Sequence, residues 1–146
     1  MYKHIKAIDT TIMTQSKGQR IGGWVLSGLI GLMMLASGAI KLSGAEEVLD
    51  QFKIMFLTDN LTLIAVGEII TAILIIIPRT NVIGTLLGSA YFGGAIVGHM
   101  VIGGRHFTDP ELAAAGSYLV PAVILVLVWL NGFIRNPGML QSLKGA

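Results

Sequence analysis

The 146 residues are 53% hydrophobic and only 12% charged, with a mean hydropathy of +0.77, whereas a soluble domain carries about 25% charged residues. Too few polar side chains remain to cover a water-facing surface, and the formal net charge of +2 is too small and scattered to suggest nucleic-acid binding. With no cysteine there is no disulfide, thiol relay or thiolate metal site, so any redox role needs a bound cofactor or a partner protein.

The pattern predicts an all-α integral membrane four-helix bundle with short interfacial helices. Residues 1–20 carry Lys3, Lys6, Lys17 and Arg20, with Ile5, Ile8 and Ile12 at helical spacing. They read as a basic amphipathic segment lying on a lipid surface or as an ordinary surface turn of helix. Residues 21–146 make the transmembrane domain, in which a bilayer core of ~30 Å needs about 20 apolar residues per span. The first span, 21–42, has no charge before Lys41 and is too long for the apolar core of a cleaved signal peptide, so it is expected to remain as an anchor. The stretch "GAEEVLDQFKIMFLTDN" places Leu49, Phe52 and Phe56 on one stripe, which suggests a second interfacial helix or a surface turn.

The second span, 61–77, holds Glu68 and stops at Pro78. The link "PRTN" then forces an antiparallel hairpin with the third span, 82–103, which contains Tyr91 and His99. The fourth span, 116–134, contains Pro121, a residue that kinks a helix or improves its packing. Trp24 and Trp129 fall near helix ends, where indoles anchor at headgroup level. Seven basic residues (Lys3, Lys6, Lys17, Arg20, Arg79, Arg135, Lys144) lie on one side and three (Lys41, Lys53, Arg105) on the other. Basic loops stay inside, so both termini are expected in the cytoplasm of a multi-pass cell-membrane protein.

Depth draws the ionisable residues together. Glu68 lies roughly 10 Å below the outer boundary and His99 roughly 6 Å, at 1.5 Å of rise per residue, while Lys41 sits at the outer end of its helix. A carboxylate facing lipid is costly, so Glu68 should turn into the bundle and pair with Lys41 or His99. Gly31 and Gly38, Ala65 and Ala72, and the stripe Gly88, Tyr91, Ala95 and His99 allow close helix approach on the faces involved. Lys41, Glu68, Tyr91, His99 and Arg105 are the candidate ligand-binding residues, with Glu68 and His99 as the catalytic pair. Arg105, with His106 and Asp109, is placed to cover the pocket, or else lies in a solvated loop. Each group also has a plain structural reading: Lys41 snorkels to water, His99 makes a packing hydrogen bond, and the cluster fixes helix register. His99, His106 and Glu68 supply ligand types suited to a metal, but no spacing specifies a metal site.

The segments "ASGAIKL", "GEI", "PRT" and "SAYFGGAIVGH", with a tryptophan late in the fourth span, resemble the DoxX-like family over about Leu35 to Ile134. The resemblance implies a small four-helix membrane protein, and it matches Gly38, Lys41, Leu42, Glu68, Gly93, Gly94 and His99 to the family pattern. It further implies a link to membrane subunits of thiosulfate:quinone oxidoreductase, or to membrane parts of thiol and oxidative-stress complexes. The leading expectation is a redox-associated protein binding a quinone or similar lipophilic ring in an outer-leaflet polar pocket. Electrons would come from a partner oxidoreductase subunit, Lys41 or His99 would donate to the quinone carbonyl, Glu68 would relay a proton, and Tyr91 with Phe92 would form an aromatic wall. The alternative is a non-enzymatic assembly module or small-solute carrier, with a homodimer permitted by the glycine-rich third span.

Overall fold

The outward faces of this bundle carry Val25, Leu29, Leu32, Leu63, Val97, Val123 and Val126, each more than half exposed. A soluble protein does not leave so much contiguous apolar surface to water. The computed structural model describes residues 15–105 and 117–139, with the backbone alone at 103–105. Its helices are α1 (Lys17–Leu42), α2 (Glu46–Ile54), α3 (Leu61–Ile76), α4 (Asn81–Arg105) and α5 (Leu119–Arg135), with a 3-10 turn at Thr58–Asn60 leading into α3. No strand occurs among the described residues. Three stretches, Lys17–Leu42, Thr58–Ile76 and Asn81–Ile102, are long and apolar enough to cross a membrane, and α5 is apolar but shorter.

Helix α1 begins four residues before the expected boundary because Ser16 and Gln19 form a capping box. The Gln19 backbone N–H donates to Ser16 Oγ at 3.2 Å, and the Ser16 N–H donates to the Gln19 side chain at 2.9 Å. Lys17 and Arg20 therefore belong to the helix, while the rest of the basic N-terminal segment, residues 1–14, lies outside the described residues. Helix α3 ends where Pro78 restricts Ile77 to extended backbone, and the expected hairpin follows. It is fastened by the Asn81 amide donating to Ile75 O at 2.7 Å. Pro121 falls in the first turn of α5, because that helix starts at Leu119 and not at 116. Backbone N–H groups there have no intrahelical partner, so the proline ends nothing and introduces no interior kink.

The long helices pack as a ring in which α1 touches α3 and α5, and α4 touches the same two. Small residues set the spacing, as packing in lipid requires. A Cβ on Gly84 would lie 2.6 Å from the α3 backbone, and one on Gly31 2.5 Å from the Ile76 side chain. Met34, Ala72, Ile75, Phe92 and Val128 fill the centre.

The end of the bundle where α1 begins and α5 finishes is tied by a polar network. Arg135 turns back from the end of α5 and donates to Ser27 Oγ at 2.6 Å and to Ile76 O at 3.1 Å. Its guanidinium also lies 4.4 Å from the centre of the Trp24 ring, so this tryptophan acts as a cation partner. Ser27 donates in turn to Asn131 Oδ1 at 2.8 Å, and the Asn136 amide donates to Asn81 Oδ1 at 2.7 Å. Ser27, Asn81 and Asn131 are fully buried. The signal for this network was an asparagine inside an apolar run, "WLNGF".

Candidate functional site

At the opposite end of the bundle, where α1 finishes and α3 begins, Gly38 brings these two helices together: a Cβ there would meet Ile69 Cγ1 at 2.7 Å and Ala65 O at 3.3 Å. Three residues later stands Lys41. Helical side chains lean toward the helix N-terminus, which for α1 means down into the bundle. The Lys41 ammonium accordingly runs back along its own helix and donates to Ser37 Oγ at 2.5 Å and to Glu68 Oε2 at 2.8 Å. A snorkelling lysine would turn the other way, toward water. The expected pairing of Glu68 with Lys41 is therefore present, and the snorkelling reading of Lys41 fails.

Glu68 is 3% exposed and lies between the fully buried Ala65 and Ala72. Seven residues into α3, it sits roughly 10 Å along that helix. The Tyr91 hydroxyl, on α4, faces the same carboxylate as a hydrogen-bond partner. Its ring meets Phe92 edge to face at 5.2 Å, but Phe92 is buried in the core, so of the two aromatics expected at the ligand only Tyr91 reaches the cavity. A carboxylate held by an ammonium and a phenol is satisfied where lipid offers no water.

Beside this pair lies a cavity of about 720 Å³. Its polar lining includes Ser37, Lys41, Gln51, Tyr91 and His99, and its apolar lining includes Met33, Ile40, Phe52, Met55 and Ile64. Glu68 does not line it. The carboxylate stands behind Lys41 and Tyr91, which separate it from the cavity. His99 lies two turns beyond Tyr91, roughly 12 Å along α4, on the same wall. The structure thus gathers Lys41, Glu68 and Tyr91 into one contact and sets Lys41, Tyr91 and His99 around one space. The side chain of Arg105, and all of His106 and Asp109, lie outside the described residues. No group of metal-ligating side chains occurs among the described residues.

The helix expected after the first span is present as α2, and it forms a wall of this cavity. Phe52 is its buried anchor, whereas Phe56 lies beyond the helix end and is 74% exposed. The expected stripe fails at Phe56 because the chain leaves the helix there with φ 57°. Leu57 N–H donates to Phe52 O at 2.9 Å and Phe56 N–H to Lys53 O at 3.1 Å, a Schellman motif with phenylalanine where glycine is usual. Gly98 receives the Met55 side chain, since a Cβ there would lie 2.7 Å from Met55 Sδ. On the outer face of α2, Lys53 and Asp50 pair at 2.8 Å in full exposure, and the carboxylate holds the ammonium above the usual lysine range. Ser37 and Gln51 were missed in the sequence because neither carries a charge.

A family model described as the DoxX-like family matches residues 25–131, while no curated protein and no solved structure matches the chain. The matched stretch contains the Lys41–Glu68 pair and every cavity-lining residue, and this membrane protein belongs to the DoxX-like family.

Proposed function

We propose that the outer cavity binds a quinone or similar lipophilic ring and that the protein serves a membrane redox system as its ligand-binding part. The observation that carries this reading is the joining of an apolar cavity to one polar wall made of hydrogen-bond donors. Small-molecule sites have this form, with mostly apolar walls and a few placed polar groups. Lys41 and Tyr91 are the donors nearest the buried carboxylate, and His99 offers a further ring nitrogen at the other end. Reduction of a quinone to its quinol takes two electrons and two protons. The electrons come from a partner oxidoreductase subunit. Glu68 is paired as a carboxylate with the Lys41 ammonium and does not line the cavity, so the protons that reach the ligand leave Lys41 or Tyr91, and both are replaced from water. Glu68 is thus a positioning residue, and the catalytic role expected for it passes to the groups in front of it. Both termini lie in the cytoplasm on this reading, with the cavity in the outer leaflet of the cell membrane.

A second reading has its own support. Lys41, Ser37, Glu68 and Tyr91 satisfy one another without any ligand, as an assembly module with a register-fixing pair would require. Native mass spectrometry from gently solubilised membrane, with a short-tailed benzoquinone added, separates the two. The ligand reading expects an adduct on the parent chain that weakens about 2- to 10-fold in His99→Ala, the worth of one neutral hydrogen bond. It also expects the adduct to be lost in the double variant Lys41→Met with Glu68→Leu. No adduct on the parent, or an undiminished one on the double variant, would favour the assembly reading.

A further inference from the structure

The cavity has a closed side and an open side, and the two face different media. Toward the outer water, α2 lies across it: Phe52 is buried, and Met55 is seated in the notch at Gly98. Along the flank the situation reverses. Met33 and Ile40 on α1 line the cavity and are also 39% and 53% exposed on the outer surface of the bundle. Ala36, between them, and Ala90 and Gly94 on α4 are likewise both lining and exposed. A Cβ on Gly94 would meet nothing within 4 Å. Helices α1 and α4 make their main contacts with α3 and α5 and not with each other, so no tight seam closes this flank. The opening extends from Met33 to Ile40, roughly 10 Å along α1. It therefore runs down the length of the helices at the depth of the hydrocarbon core.

The polar end limits the headgroup. Lys41 is neutralised by Glu68 at 2.8 Å, so the pair offers donors without net charge. An anionic head would have to compete with a carboxylate already in place, whereas a neutral carbonyl or ether oxygen would not. The lining along the flank is apolar and small, which suits one hydrocarbon chain.

We infer that the site takes a neutral, single-tailed amphiphile directly from the bilayer, its oxygen-bearing head at Lys41 and Tyr91 and its tail leaving between α1 and α4 over Ala36, Ala90 and Gly94. This rests on the reading of the cavity as a ligand site, and it adds the entry route and the need for a tail. Ala90 and Gly94 become specificity-determining residues because any larger side chain there closes the exit. Gly93 provides a matched control: a Cβ on it also meets nothing within 4 Å, yet it does not line the cavity.

The test uses the full chain in lipid nanodiscs, with ligand dose set as mole fraction in the bilayer so that partitioning cancels. Three probes are compared by the fraction of chains carrying an adduct: a benzoquinone with a ten-carbon tail, the same ring with a methyl group in place of the tail, and a monoacylglycerol. The parent should prefer the tailed ring over the tail-less one at least tenfold. Gly94→Phe should remove that preference while changing tail-less binding less than twofold, and Gly93→Phe should leave both unchanged. Ala90→Phe should reproduce Gly94→Phe, and it replaces that variant if the latter does not fold. Monoacylglycerol bound as tightly as the tailed ring would support the lateral route while overturning the quinone as the particular ligand. Equal binding of the two rings by the parent, or a Gly94→Phe variant that keeps the preference, would overturn the lateral route and leave the ligand reading standing. No binding of any probe by the parent would sink both.

Discussion

Removing one member of the Lys41–Glu68 pair should cost unequal amounts, depending on which is removed. Lys41→Met leaves a carboxylate that is 3% exposed and roughly 10 Å along α3, with Tyr91 as its remaining partner. It has no path to water, and stranding one half of a buried pair costs about 3–5 kcal/mol. Glu68→Leu leaves an ammonium whose side chain is 16% exposed and whose residue is next to last in α1. That side chain can swing outward to the headgroups, so about 1–2 kcal/mol is expected. Replacing both by apolar residues of similar volume should return stability to within about 1 kcal/mol of the parent, a coupling of at least about 3 kcal/mol. The measurement is reversible unfolding in mixed micelles, titrated with a denaturing detergent and followed by helical circular dichroism. Additive single costs would mean that the pair contributes nothing as a pair. A larger loss for Glu68→Leu than for Lys41→Met would mean that the lysine is the more deeply trapped group, and the inward geometry would be wrong.

Two further substitutions test the packing around the site. Gly84→Ala drives a Cβ to 2.6 Å from Leu74 C and Ile75 N, so overpacking of about 1–3 kcal/mol should exceed the roughly 1 kcal/mol gain in helix propensity. Gly94→Ala, facing open space, should keep that gain, and opposite signs of the two shifts in thermal midpoint check the difference. Phe56→Gly relieves a left-handed backbone worth about 1–2 kcal/mol and forfeits about 0.5–1 kcal/mol of unfolded-state entropy, so stability in micelles should rise slightly. A fall would mean that the phenylalanine ring contributes more than its backbone costs.

The sequence revealed the groups whose placement is costly. Lys41 and Glu68 stood out because ionised side chains in lipid need partners, and Gly38, Ala65 and Ala72 marked the faces that would meet. The direction of the Lys41 side chain was hidden, because burial and snorkelling leave the same residue in the same place and only the rotamer differs. The retreat of Glu68 behind Lys41 and Tyr91 was hidden for a related reason: depth fixes height along a helix and leaves the angle about its axis open. At the other end of the bundle, Ser27 and Asn131 are uncharged and sit quietly in apolar runs, while Asn81 read as an ordinary turn residue of the link "PRTN". Arg135 looked like a terminator after the last helix, yet its side chain folds back to bind the end of α3. Phe56 continued the helical spacing of Leu49 and Phe52, and no local rule placed a bulky aromatic at a left-handed cap.

The inward reach of Lys41 also sets the electrical position of this cluster. Glu68 lies roughly 10 Å into a hydrocarbon layer of about 30 Å, so about a third of a transmembrane voltage falls between it and the nearer face. Moving a unit charge over that distance would involve only about 0.8 kcal/mol per 100 mV, a third of the full crossing value. The pair Lys41–Glu68, being neutral as a whole, is therefore only weakly coupled to the membrane potential. An energised membrane would neither drive this cluster strongly nor be much discharged by it.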